Sequence, residues 1–273
     1  MYLNLDRNFN PFLGEEMSFE SFVFPGGEGH IKITGSPSSS VTVSHRVKSF
    51  SDMVMIMLAV DALRRMGTEQ LNLVLPYFPA ARQDRVMVKG EPLTVKIMAD
   101  MINSLNLNRV TVFDPHSEVT PALLNNCEVI YNYDFIATAI EDIGQNVLLS
   151  APDGGALKKI YKVSEALGGI EVLECSKSRD VKTGHLKGFR VSADDLQGKN
   201  CIIVDDICDG GGTFMGLAEE LKKKNAGDLY LAVSHGIFSK GFDDLCKHFK
   251  GIYTTNSFRD IDDARIKQIK LEL

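Results

Sequence analysis

An excess of basic charge, a long apolar run and a paired-cysteine motif are all missing from this 273-residue sequence, and each absence closes off a class of protein. Acidic residues outnumber basic ones and leave a net charge of −6, whereas nucleic-acid binding draws on clustered Lys and Arg. No stretch approaches the roughly 20 apolar residues that span a bilayer. Residues 1–10 (MYLNLDRNFN) lack the basic and apolar regions of a secretory leader, so neither nucleic acid, membrane nor export is expected. The five cysteines, Cys127, Cys175, Cys201, Cys208 and Cys246, are odd in number and show no CxxC spacing. That argues against a disulfide framework or a zinc site and for a reducing cytoplasm; all five read as small core or near-core residues.

What is present is ordinary globular material: 44% hydrophobic and 24% charged residues, in a chain long enough for two domains. Strand-like segments recur at Leu71–Leu75, Arg109–Phe113, Asn146–Leu149, Ile170–Leu173, Cys201–Val204, Asp228–Val233 and Gln268–Leu273. Between them, Met53, Ile56, Met57, Val60 and Leu63 share one face of a helix that starts near Ser51. A second helix opens at Pro92 and buries Val95, Met98, Ala99 and Ile102, and a third covers Phe214–Lys224. Such alternation predicts largely parallel sheets covered by helices, with ligands beyond the carboxyl ends of the strands. The pattern occurs twice, which predicts two α/β units, residues 1–143 and 144–273. The polar segment Ser176–Lys187 has no period and reads as an exposed loop.

The segment Ile203–Thr213 (IVDDICDGGGT) carries the densest chemistry. A buried strand delivers Asp205 and Asp206 to its end, and a glycine turn then feeds a helix. Glycines let backbone N–H groups approach an anion and the helix N-terminus adds positive charge, so a phosphate belongs here. Ionised carboxylates only accept hydrogen bonds, which suits sugar hydroxyls or a hydrated metal.

This segment resembles the phosphoribosyl-binding loop shared by phosphoribosyltransferases and ribose-phosphate diphosphokinases. The remaining motifs resemble the second family. Tyr77–Arg85 (YFPAARQDR) is similar to its ATP-binding stretch, Phe24–Glu28 (FPGGE) to its adenine-contacting turn, and Asp114–Ser117 (DPHS) to its metal segment. Pro152–Gly155, Lys177–Arg179, His235–Ser239 and Thr255-Asn256 are similar to further signatures. The resemblance implies two tandem doubly wound, mainly parallel domains of the type I phosphoribosyltransferase-like kind. It implies Mg²⁺-dependent transfer of the diphosphate of ATP to the 1-hydroxyl of a ribose 5-phosphate compound, with AMP released. In that scheme Phe24 stacks on adenine, Glu28 accepts from its amino group, and Arg82, Gln83 and Asp84 bind ATP. His116 and Asp153 position the metal, and Lys177 and Arg179 close over the β-phosphorus. Asp205 and Asp206 hold the ribose hydroxyls, while Asp209, Gly210, Gly211, Gly212 and Thr213 cradle the 5-phosphate, Asp209 acting on the attacking hydroxyl. A homo-oligomer is implied, with the adenine site near a subunit boundary. His30, His45, His185 and His248 read as surface or structural.

The sequence departs from the family pattern at three places. The family loop is Asp-Thr-[Ala/Cys]-Gly-Thr; Gly210 removes its hydroxyl and Gly211 its next side chain, which predicts a roomier pocket. Gly26 stands where an Asp is expected. The chain stops just after the strand expected at Gln268–Leu273, and Val43–Phe50 differs from a loop tied to feedback control in longer relatives. Alternatives follow: an extended acceptor such as ADP-ribose, which would belong to NAD metabolism; a phosphoribosyltransferase; or a non-catalytic regulatory homologue, which retention of Lys177 and Arg179 disfavours.

Overall fold

The computed structural model describes residues 1–144, 146–179 and 186–273, without the side chains of Ser178, Arg179, Leu186 and Lys187. His185 lies outside the described residues. The chain parts into two units, residues 1–131 with 270–273 and residues 132–269.

The first unit runs β1 (Tyr2–Asn4), β2 (Ser18–Val23), β3 (Gly29–Thr34), β4 (Ser40–Ser44), α1 (Phe50–Arg65), β5 (Gln70–Leu75), α2 (Thr94–Asn103), β6 (Arg109–Phe113), α3 (Val119–Leu123) and β7 (Cys127–Ile130). Its sheet has the order β1-β4-β5-β6-β7, every pair parallel. The central strand β5 buries Leu71, Leu73, Val74 and Leu75, the near-continuous apolar run of a strand covered on both faces. Helix α1 buries Met53, Ile56, Val60 and Leu63 as the spacing predicts, with Ala59 added. It begins earlier than Ser51. Ser49 and Asp52 form a reciprocal capping box that sets the start. Helix α2 starts later than Pro92, because the Gln83 carbonyl accepts from the Val95 N–H at 3.3 Å and supplies the first-turn partner. Outside the sheet, β2 and β3 form an antiparallel hairpin that sinks Ile31 and Ile33 into the core and leaves Phe22 and Phe24 exposed.

The second unit runs α4 (Tyr133–Ile143), β8 (Val147–Ser150), α5 (Leu157–Ala166), β9 (Val172–Leu173), β10 (Cys175–Arg179), β11 (Leu186–Val191), β12 (Asn200–Cys208), α6 (Gly212–Lys223), β13 (Leu229–Gly236), α7 (Leu245–His248), β14 (Gly251–Thr255) and β15 (Ile266–Ile269). Its parallel sheet is ordered β15-β14-β13-β12-β8-β9. The chain moves outward from β8 to β9, then returns to the other side of β8 as β12 and continues to β15. Order therefore reverses between β8 and β12, the kind of switch point where open α/β sheets place ligands.

Three expectations are corrected. The polar stretch Ser176–Lys187 is not a single loop: Cys175–Arg179 pairs antiparallel with Leu186–Val191, anchored by buried Cys175 and Val191 and by Phe189 packed over Gly216 of α6. The last strand ends at Ile269, not Leu273, because Leu271 packs with Phe9 and Phe113 of the first unit. The sequence puts the division at Gly144, whereas the units part between Tyr131 and Asn132. Helix α4 belongs with the second sheet, where Phe135, Ile136, Ala139 and Ile140 share a core with Val147, Leu149, Ile202 and Val204.

Candidate active site

In the first unit the candidate residues follow neighbouring strands. The loop after β5 turns at Ala80, which holds φ +57°, and closes with Gln83 N–H donating to the Ala80 carbonyl at 2.8 Å. Arg82 and Gln83 are exposed and Asp84 is buried. Burial pushes the Asp84 carboxyl up, but the Ser117 hydroxyl, Arg85 and His116 outweigh it and hold the group below the ordinary carboxylate range. Arg85 Nε lies 3.3 Å from Asp84 Oδ1. Asp84 thus joins the Arg82–Gln83 loop to the His116 loop after β6. That second loop leaves its strand through Asp114, with φ +37° and an N–H donated to the Ile130 carbonyl at 2.8 Å.

The hairpin turn between β2 and β3 closes with Phe24 N–H donating to Glu28 O and Gly27 N–H to Phe24 O, each at 2.8 Å. The Phe24 ring is 46% exposed and meets Phe22 edge-on at 4.8 Å, with His30 beside both. At Gly26 a Cβ would come within 2.6 Å of Glu28 Oε2, the end of an exposed side chain that can swing aside, so the Glu28 carboxylate lies across the turn without requiring glycine there.

In the second unit Asp153 follows the carboxyl end of β8, Lys177 lies midway along β10, and Asp205–Thr213 spans the last residues of β12 and the turn into α6. Asp153 Oδ1 accepts from Gly155 N–H at 2.9 Å, and its Oδ2 lies 3.7 Å from Lys177 Nζ. Arg179 pairs through its backbone with Leu186, and its side chain lies outside the described residues. Asp205 and Asp206 crowd each other at the end of β12: Asp205 Oδ1 accepts from the Asp206 N–H at 2.9 Å, and the two side chains are hydrogen-bonded. Burial, then the neighbouring Asp206, pushes the Asp205 carboxyl well above the carboxylate range, with Asp153 adding to the effect. This modifies the expectation of two simple acceptors: Asp205 resists ionisation until a donor or cation offsets the crowding. Burial and the charges of Asp205 and Asp209 push the Cys208 thiol up to about 12, so it stays protonated and packs in the core, as expected.

Asp209 is braced from the next strand. Ser239 donates its hydroxyl to Asp209 Oδ1 at 2.6 Å and its N–H to the Asp209 carbonyl at 3.1 Å. Gly211 caps α6 with φ +77°, a conformation that costs residues other than glycine. The predicted extra room at Gly211 is not there: a Cβ would meet Leu245 of α7 at 2.9 Å. Around Gly212 a Cβ would meet nothing within 4 Å. Ser117, Ser239 and Leu245 were not assigned roles from sequence; Ser117 and Ser239 stand in recognised motifs, while nothing local marks Leu245.

Among the described residues no group of three or more His, Cys, Asp or Glu could hold a metal ion by itself. No helix of the described residues is long and apolar enough to cross a membrane.

Family models and known relatives match the same segments. Residues 22–105 match the N-terminal domain of ribose phosphate pyrophosphokinase, and residues 130–250 a phosphoribosyl transferase domain. A ribose-phosphate pyrophosphokinase from Thermococcus kodakarensis is 34% identical, over 80% of this chain and 77% of its own length. The chain belongs to the ribose-phosphate pyrophosphokinase family. Another member of that name, from Pyrococcus abyssi, is 32% identical over 89% of this chain and 85% of its own. The crystal structure of phosphoribosylpyrophosphate synthetase from Mycobacterium smegmatis shares the fold, with a TM-score of 0.81, 22% identity and coverage of 94% of this chain and 87% of that one. As a member of this family the chain falls among the ATP-dependent diphosphotransferases. The match over residues 22–105 also removes the stand-alone phosphoribosyltransferase that the glycine loop left open.

Proposed function

We propose that the chain transfers the diphosphate of ATP to the 1-hydroxyl of ribose 5-phosphate, giving a 1-diphosphate sugar and AMP. The observation that carries this reading is the second sheet's switch point, where an acidic strand end, a glycine turn into a helix and a lysine facing Asp153 converge. The 1-hydroxyl oxygen forms a bond to the β-phosphorus while the bond from that phosphorus to the α,β-bridging oxygen breaks, and AMP carries the bridge away. Asp209 takes the hydroxyl proton, its orientation held by Ser239. Lys177 and Arg179 offset charge on the transferring group, Asp205 and Asp206 orient the sugar, Arg82 and Gln83 bind the nucleotide phosphates, and Asp84 completes the ATP-binding stretch.

Magnesium fits this donor set. The ion ordinarily takes one or two carboxylates and fills its octahedron with water and substrate phosphates, which accords with the Asp153 carboxylate beside the sugar-binding turn. Asp153 would hold it, directly or through water, and it would neutralise the triphosphate; His116 is the first unit's candidate ligand. The exposed Phe24 ring and the Glu28 carboxylate support an adenine platform near a boundary between copies. Mg²⁺-dependent release of AMP from ATP, only when ribose 5-phosphate is present, is the expected result of product analysis. Release of ADP alone would overturn the assignment.

The missing hydroxyl at Gly210 favours a second reading, the same chemistry on ADP-ribose; Leu245 against Gly211 and the Lys240 stem against Gly210 weigh against it. Competing the two acceptors at equal concentration and comparing kcat/KM decides between them. ADP-ribose giving no product while ribose 5-phosphate turns over ends the second reading.

A further inference from the structure

One lysine that neither the motifs nor the proposed mechanism uses lies over the glycine turn. A Cβ built on Gly210 would sit 3.4 Å from both Cδ and Cε of Lys240, so the lysine stem occupies the space a side chain at 210 would take. The backbone leading to it is pinned to the turn. Ile237 and Phe238 both donate to the Cys208 carbonyl at 3.0 Å, and Ser239 to the Asp209 carbonyl and carboxylate. Lys240 is exposed and forms no hydrogen bond or ion pair among the described residues. Nearby carboxylates are engaged elsewhere: Asp243 with Arg265 and Asp244 with Lys247, each at 2.7 Å. An unpaired ammonium on a flexible stem that lies over Gly210, two residues before a twelve-residue helix, is suited to a phosphate oxygen.

We propose that Lys240 is an acceptor-binding residue that contacts a phosphate oxygen at or beyond the sugar 5-position, taking the place of the hydroxyl that Gly210 lacks. The inference rests on the reading that the 209–213 turn holds the acceptor phosphate. Steady-state kinetics on the full chain test it with Lys240→Ala, Lys240→Arg and Thr213→Val. Lys240→Ala is expected to raise the acceptor KM roughly tenfold to a hundredfold, to leave the KM for ATP and the melting temperature unchanged, and to flatten the salt dependence of acceptor KM. Lys240→Arg should retain most of the affinity. Equal losses with ribose 5-phosphate and ADP-ribose place the contact on the 5-phosphate; a loss confined to ADP-ribose places it on the second phosphate. If Thr213→Val raises the acceptor KM and Lys240→Ala does not, the lysine's role is overturned while the turn's role stands. If neither variant changes it, the reading of the turn fails and the inference with it. A loss that is equal for ATP and acceptor also overturns it.

Discussion

Lys177 and Asp153 oppose each other at 3.7 Å, which sets the cation proposed for the transition state against the carboxylate proposed for the metal. Lys177→Ala is expected to lower kcat by roughly 10²–10³ with a much smaller rise in KM, since its charge acts mainly on the transition state. Arg179→Ala should behave alike. A large rise in KM at constant kcat, in initial-rate measurements over both substrates, would instead make them binding residues. For Lys177→Ala folding stability should change by about 1 kcal/mol, since its pair with Asp153 is long at 3.7 Å and the carboxylate reaches solvent. The glycines of the turn separate two effects that the sequence runs together. Gly211→Ala meets both a left-handed φ and Leu245, and urea unfolding should show a loss of about 1–2 kcal/mol or more. Gly212→Ala, in helical geometry with open space around it, should be neutral or stabilising by up to about 1 kcal/mol.

At the scale of elements, the capping box is the device that fixes where α1 begins, and Ser49→Ala should cost about 1 kcal/mol in thermal or urea unfolding. The segments after β1 and β4 are tied by Asp6 and the buried Arg46, Nε to Oδ2 at 2.6 Å, with the guanidinium over the Phe9 ring. Burial pushes the Asp6 carboxyl up, but Arg46 and the Asn8 N–H hold it below the ordinary range. A depressed folded-state value means that this contribution is complete above the unfolded carboxylate value, near about 4, and disappears as pH falls through the folded one. Unfolding titrations should therefore show Asp6→Asn losing about 3 kcal/mol near neutrality, with the gap to the parent narrowing below about pH 4. Strands and helices with apolar faces were legible because burial writes a period into them. The β10–β11 hairpin was not, since the sequence of 176–187 carries no apolar period and its described anchors are only Cys175, Phe189 and Val191. The same limit applied at the site: the Asp205–Thr213 chemistry is contiguous in sequence, whereas Asp84 with Ser117, and Asp209 with Ser239, meet only after strands align.

For the whole molecule, the twofold α/β repetition was readable from alternating elements, but its division was not, because α4 takes its identity from the sheet it covers. Leu271 is a further non-local case. Its side chain is buried with Phe9 and Phe113, and Leu273 N–H donates to the Pro11 carbonyl at 2.8 Å. Leu271→Ala should destabilise by about 2–3 kcal/mol, and hydrogen exchange should register the loss around Phe9 and Phe113, not in the second sheet that precedes Leu271 in sequence.

That return of the chain also bears on synthesis. Residues 1–131 leave the ribosome first, yet Phe9 and Phe113 keep an uncovered flank until Leu271 has been made. At about 5–20 residues per second, the first unit waits on the order of ten seconds for its last packing partner. A nascent chain stalled before residue 270 should therefore be cut by protease around Phe9 more readily than the released protein, even with the parallel sheet of the first unit already formed.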